Sequence, residues 1–220
     1  MPSAARTYGH FCMLAAALDQ VGDRWTLLVL RDLARGPRRF TDLMERLAVI
    51  TPKTLTQRLR DLEGDGLVEV DRETGRRDVW YTLTDSATDL LPALDELMLW
   101  GLRHLTRKPQ PGEPVHPDHL LWAMQVTLDR HKPRVGSVIW VIRIAEGGAY
   151  TIRGNDQHWT LDDSAADKPD LVINTTRQGL VDFLLTNPAT RSPDTEHVHI
   201  AGSRRAIKTL MAALATFPSG

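Results

Sequence analysis

Apolar residues recur at helical spacing from Phe11 to Val21 and again from Trp25 to Leu33, where Gly36 and Pro37 end the second run. A third, short helix is predicted from about Thr41, with Leu43, Met44 and Leu47 inward and Ala48 to Ile50 as a tight connection. Thr51 followed by Pro52 then reads as an N-cap hydroxyl and a first-turn proline, opening a helix with Leu55, Leu59 and Leu62 on one side that stops near Gly64 and Gly66. Two short alternating runs, Leu67 to Asp71 and Asp78 to Leu83, flank Glu73, Thr74, Gly75, Arg76 and Arg77 and predict a β-hairpin with a basic tip. Thr84 is expected to cap one long amphipathic helix through Leu90, Leu91, Leu94, Leu97, Met98 and Leu105.

Between Lys108 and Pro117 the pattern breaks. Pro109, Pro111, Pro114 and Pro117 exclude helix and predict an extended, semi-rigid connector at 109–117, separating a domain at 1–108 from one at 118–220. Beyond it the periodicity is mixed. A helix over Asp118 to His131 precedes strands at Val138 to Ile144, Tyr150 to Arg153, His158 to Leu161 and Leu171 to Asn174. A helix at Gln178 to Leu185, a strand at His197 to Ile200 and a helix at Arg204 to Ala215 complete an α+β layer. The fold class expected for the whole chain is α+β: a winged helix-turn-helix domain followed by a mixed α/β domain.

The chain has 220 residues and a formal charge of −1, so bulk charge announces no partner. Its distribution is more informative. From Arg31 to Arg60 eight bases face three acids, a net +5, whereas Asp61 to Glu96 carries a net −8. A basic segment is hidden inside a neutral protein. The single cysteine, Cys12, excludes an internal disulfide, and its place in the first apolar run predicts a small buried hydrophobe. A soluble, cytoplasmic protein is expected, since the chain opens without a signal-peptide pattern and has no apolar run of membrane-spanning length.

The two short helices at Thr41 to Leu47 and Pro52 to Glu63 have the arrangement of a helix-turn-helix, whose second member can lie in the major groove of DNA. With the three leucines buried, Lys53, Gln57 and Arg60 project oppositely, flanked by Thr51, Thr54 and Thr56. Glutamine can pair with adenine, arginine or lysine with guanine, and threonine methyls with thymine. Arg76 and Arg77 at the hairpin tip, and Arg38 and Arg39 ahead of the motif, are candidates for phosphate contact. A solvated helix face explains each residue singly; the order of helix, helix, capped basic helix, basic hairpin and long helix favours double-stranded DNA.

These residues resemble the HxlR-type regulators. The likeness runs through Asp19, Gly22, Trp25, Thr26, Leu27 and Leu30; Leu33, Gly36, Arg39, Phe40 and Leu43; Lys53, Leu55, Thr56, Leu59, Leu62, Glu63, Gly66 and Leu67; and Tyr81, Leu83, Thr84, Leu91, Leu94 and Trp100. It implies a winged-helix homodimer, joined through its terminal helices, on an inverted-repeat operator. The apolar stripe of Asp85 to Leu105 and the helix around Phe11 to Leu18 are the expected interface. The family often has Cys-Pro near its start; here Cys12 precedes Met13, which departs from a redox-switch role.

The second half resembles the sterol carrier protein type 2 fold through its strand meander, the Asp170 to Ile173 strand, the helix containing Gly179 and Leu180, and the Ile200-Ala201-Gly202 step before a helix. That likeness implies an apolar tunnel for a lipid-like effector, with Leu121, Met124, Leu128, Trp140, Ile142, Phe183, Leu184, Leu210 and Met211 as wall candidates. Side chains of this kind are more often simple core than ligand contacts. His197 and His199 share a strand face and His158 could join them, but neither a metal site, a cofactor nor a nucleophile motif is expected, and no enzyme. The alternative to a ligand-responsive regulator is a lipid carrier that uses its N-terminal domain mainly for dimerisation.

Overall fold

A computed structural model describes residues 7–72, 78–187, 189–215 and 217. Packing divides the chain into two units at Leu94/Asp95. The first comprises α1 (Met13–Val21), α2 (Thr26–Leu33), β1 (Arg38–Arg39), α3 (Phe40–Leu47), α4 (Pro52–Gly64), β2 (Val68–Asp71), β3 (Trp80–Leu83), α5 (Asp85–Thr88) and the first turn of α6 (Leu91–His104). Its strands form an antiparallel sheet in the order β1-β3-β2, with Val70 opposite Tyr81 and Arg39 opposite Trp80.

The core of this unit is built mainly from the leucines of α2, α3 and α4. Val29, Leu30, Leu43 and Leu55 are wholly buried, and Leu33, Leu47, Leu59 and Leu62 nearly so. Helix α4 starts where Thr51 Oγ1 accepts the Thr54 N–H at 3.2 Å, and Pro52 occupies a position whose N–H has no helical partner. It ends at Gly66, whose positive φ of 70° lets the Leu67 N–H turn back to the Leu62 carbonyl at 2.9 Å and delivers the chain into β2.

Two expectations need correction here. The long helix from Thr84 is two helices, because Pro92 supplies no N–H and its ring would collide with the carbonyl four residues back; α5 stops at Thr88 and α6 restarts at Leu91. Helix α1 begins at Met13, so Cys12 is an extended N-cap residue and is exposed rather than buried on a helix face. Strand β1, two residues long, carries too short a pattern for alternation to reveal it.

The second unit holds the rest of α6, α7 (Pro117–His131), β4 (Val138–Ile144), β5 (Ala149–Gly154), β6 (Trp159–Asp162), β7 (Leu171–Thr175), α8 (Arg177–Leu185), β8 (Asp194–Thr195), β9 (Val198–Gly202) and α9 (Arg204–Leu214). Its six strands run β6-β5-β4-β7-β9-β8, antiparallel except for the parallel pair β4 and β7. The register puts Trp140, Ile142, Ile152, Trp159, Leu161, Leu171 and Ile173 on one face. Gln125 and Asp129 of α7 hold β6 against that helix, by hydrogen bonds to the Trp159 carbonyl (2.7 Å) and N–H (2.9 Å). On the opposite face buried Thr151 donates to the Ser164 carbonyl at 2.6 Å and accepts the Ala166 N–H at 2.9 Å, drawing that loop over the sheet.

The proline-rich stretch lies inside this unit. An extended connector was expected, but the chain turns at Gly112 (φ 85°), where Arg107 grips the Glu113 carboxylate through both guanidinium nitrogens at 2.6 and 2.7 Å. Lys108 pairs with Asp182 of α8 at 3.3 Å. The Arg107 hydrogen bonds hold the Glu113 carboxyl down at about 2. Helix α6 joins the same unit through an ion pair of Glu96 with Arg130 and the Trp122 side chain hydrogen-bonded to Asp95.

Burial pushes the Asp95 carboxyl above the usual carboxylate range, against a smaller lowering by the Trp122 bond. A raised folded-state value favours the fold while the group is protonated, and that contribution is lost as pH rises from the unfolded value, near 3.8, through the folded one. Asp95→Asn keeps an acceptor for Trp122 without the buried charge. Urea unfolding is expected to show Asp95→Asn more stable than the parent at pH 7, with the gain vanishing in acid; equal stability at both pH values would refute the assignment.

Candidate nucleic-acid interface

Helices α3 and α4 meet through Ala48, Val49 and Ile50. Ala48 has φ 49° and ψ −62°, and the Val49 N–H bonds to the Leu47 carbonyl at 2.6 Å, a three-residue turn that costs strain in a residue with a Cβ. Ile50, 4% exposed, plugs the turn into the core. The outcome is a short, fixed angle between the two helices that leaves one flank of α4 outward.

On that flank Lys53, Gln57 and Arg60 are exposed, Thr51 is exposed at the cap, and Thr54 and Thr56 are half-buried. The wheel expected from the leucine spacing is therefore the one the chain adopts. The side chains are not equally free. Gln57 donates its amide to Asp61 one turn on at 2.7 Å, and Thr51 and Thr54 share a hydroxyl contact at 2.8 Å. Arg58, which the sequence reading did not single out, lies close to both Asp61 (3.2 Å) and Asp23 (3.4 Å), tying α4 to the segment before α2. Its spacing of three from Asp61 was the available signal.

Arg38 and Arg39 belong largely to the fold. Arg38 Nε donates to the Asp32 carbonyl at 3.4 Å. Arg39 makes two side-chain bonds to Asp42, at 3.2 and 3.0 Å, and its guanidinium sits 5.6 Å from the Trp80 ring centre. These bonds hold the Asp42 carboxyl below its ordinary range and raise Arg39 further. At the hairpin base Arg72 clasps Glu63 of α4 at 2.8 and 2.9 Å, lowering the Glu63 carboxyl in the same way. Arg76 and Arg77 lie outside the described residues. Beneath the motif, wholly buried Asp32 on α2 accepts from Arg46 of α3 at 2.8 Å and from Arg31 at 3.0 Å.

A family model for an HxlR-like helix-turn-helix matches residues 20–109. An uncharacterized HTH-type transcriptional regulator of Methanothermobacter thermautotrophicus is 36% identical over 106 residues, 47% of this chain and 80% of the relative. The chain belongs to the HxlR-like helix-turn-helix family. A regulator of Halalkalibacterium halodurans is 39% identical over 89 residues, covering 40% of this chain and 79% of its own. The HTH-type transcriptional regulator YodB of Bacillus subtilis is 36% identical over 90 residues, covering 40% and 80%. This HxlR-like chain thus carries the helix-turn-helix of DNA-binding transcription regulators in its N-terminal part, and the matched stretch ends before the proline-rich turn.

The wall candidates of the second unit belong to its core with one exception. Leu121, Met124, Leu128, Trp140, Ile142, Phe183, Leu184 and Leu210 are all buried, whereas Met211 is half-exposed. Trp140 packs on Trp159, which the sequence reading passed over, with ring centres 5.1 Å apart. His158 lies 3.5 Å from Asp129 and His199 2.6 Å from Asp194; among the described residues no three potential metal ligands come together.

Proposed function

We propose that this chain is a homodimeric regulator that inserts α4 into the major groove of an inverted-repeat operator, and whose C-terminal unit binds an apolar small molecule that alters DNA affinity. The observation that carries the reading is α4 itself: a capped start, three buried leucines, and Lys53, Gln57 and Arg60 exposed on the opposite side. Lys53 and Arg60 supply charge for phosphates or guanine, and Gln57 supplies an amide once Asp61 releases it. The Arg72 clasp on Glu63 ties the base of the β2–β3 hairpin to the end of the same helix.

Dimerisation is supported by apolar side chains that this chain leaves in water. Phe11, Met13, Leu14 and Leu18 at α1 and Leu97, Trp100 and Leu105 at α6 are each more than a third exposed. Two recognition helices about 34 to 36 Å apart reach successive major grooves. An effector that rotates one protomer would disturb that spacing, and the apolar core of the C-terminal unit supports a ligand of that character.

Arg60→Ala and Gln57→Ala are expected to relax sequence preference, at about 1–3 kcal/mol per lost base contact, whereas Arg76→Ala and Arg77→Ala weaken all duplexes alike and flatten the salt dependence. Binding titrations on a selected operator and on scrambled DNA at two salt concentrations separate the two effects. A loss of preference confined to the hairpin variants would invert the assignment, and a stable monomer at micromolar concentration in sedimentation would remove the dimer.

A further inference from the structure

The core of the C-terminal unit contains two donors without acceptors. Trp140 is 0% and Trp159 2% exposed, their rings are neighbours, and the indole N–H of each has no hydrogen-bond partner. Tryptophan can only donate through that atom, and a buried donor is ordinarily satisfied. The third buried tryptophan shows the ordinary outcome, since Trp122 is bonded to Asp95. Two polar groups of α7 that meet Trp159 are engaged by its backbone: the Gln125 amide donates to the Trp159 carbonyl and the Asp129 carboxylate accepts the Trp159 backbone N–H. Trp159 is also held in place from below, because a Cβ on Gly154 would lie 2.2 Å from its ring.

We infer that Trp140 and Trp159 form the polar end of a ligand site that takes a mainly hydrocarbon molecule bearing a neutral carbonyl oxygen, which accepts the indole N–H. The inference rests on the proposed apolar-effector reading and adds the ligand's functional group. Apolar character follows from the surroundings on the same sheet face: Ile142, Ile152, Leu161 and Leu171 are buried hydrophobes. Neutrality follows from the charge inventory. Among the described buried residues of this unit the one cation is Arg191, and its guanidinium already donates to four backbone carbonyls. A carboxylate at the indoles would be buried without a counter-charge, whereas a ketone or ester oxygen satisfies the donors and adds no charge.

The test uses the full chain with 15N-labelled indoles and three probes of equal chain length: undecane, 2-undecanone and undecanoate. Calorimetry is expected to rank the ketone about tenfold above both others, and the Trp140 and Trp159 indole N–H signals are expected to move downfield with the ketone alone. In Trp140→Phe and Trp159→Phe, which keep an aromatic ring and fold as checked by circular dichroism, the ketone's advantage over undecane disappears. Equal binding of ketone and undecane with unmoved indole signals would overturn this inference while leaving the apolar-effector reading intact. Failure of all three to bind would overturn both. A long-lived water detected at either indole proton in the ligand-free protein, still present with ketone, would also overturn it.

Discussion

Arg46→Met is expected to destabilise the N-terminal unit by about 3 kcal/mol and to weaken operator binding in step. Asp32 is the reason. It sits wholly buried on α2, and Arg46 of α3 meets it at 2.8 Å with a side chain that is itself only 16% exposed. Arg31 reaches the other carboxylate oxygen from a more exposed position. Methionine retains the stem that packs between the helices but leaves the buried carboxylate with less compensation, and breaking a buried pair from one side costs about 3–5 kcal/mol. The lower end applies because Arg31 remains. The pair also fixes α3 on α2, and α3 sets the angle of α4, so the lost free energy should be felt at the DNA. The double variant Asp32→Leu, Arg46→Met removes the charge problem and is expected to recover most of the stability. Denaturant unfolding, fitted with separate transitions for the two units, measures both. A single-variant loss below about 1 kcal/mol, or a double variant no better than the single, would show that the pair is solvated in solution.

How far the sequence could be read depended on the range over which each feature is determined. Helix α4 was legible to its ends because its signals are local: Thr51 and Pro52 at the start, Gly66 at the stop, leucines at 55, 59 and 62 between. Strand β4 was legible because six of its seven residues are apolar, and five of those are buried. The break between α5 and α6 was also local, in Pro92, but the leucine period from 90 to 105 outweighed it. Partners were not legible. Charge counting made Arg39, and the helix wheel made Gln57, look free for DNA, whereas Asp42 and Asp61 engage them at spacings of three and four that only a pairwise reading detects. Asp32 and Arg46 stand fourteen residues apart, and nothing in either's neighbourhood predicts the other. The proline-rich stretch misled through composition: four prolines exclude helix, yet Gly112 and the Arg107 to Glu113 clasp still turn the chain. Trp159 escaped notice because its significance lies in a neighbour on β4, supplied by register rather than by spacing.

Arg191→Met is expected to cost the C-terminal unit about 3–5 kcal/mol, the sum expected from several buried carbonyls left without a donor at about 1–3 kcal/mol each, less the desolvation relieved by removing the charge. Arg191 is 6% exposed and has no carboxylate partner in its recorded hydrogen bonds. Its Nε donates to the Phe183 carbonyl at 2.9 Å, one terminal nitrogen to Leu214 at 2.7 Å, and the other to Leu184 and Thr186 at 2.9 and 3.0 Å. Those carbonyls lie at the C-terminal ends of α8 and α9, where the aligned peptide dipoles leave partial negative charge, and Leu214 also accepts the Phe217 N–H at 3.1 Å. One cation therefore caps two helices at once, and the Phe183 ring, 5.6 Å away, lies against it. Burial lowers the Arg191 pKa from its ordinary value, but an arginine stays charged across the accessible pH range. Methionine fills similar volume and donates nothing, so the Phe183, Leu184 and Thr186 carbonyls would be stranded, while Leu214 keeps the Phe217 N–H. Lysine keeps the charge on a flexible stem without the planar fork, and Arg191→Lys should recover less than half of the loss. Because α8 and α9 both pack on β9, the same change should loosen the helical layer and speed exchange of the β7 and β9 amides. Hydrogen exchange with denaturant unfolding reads both. Unchanged exchange in Arg191→Met, or a lysine variant as stable as the parent, would mean that water rather than arginine satisfies those helix ends.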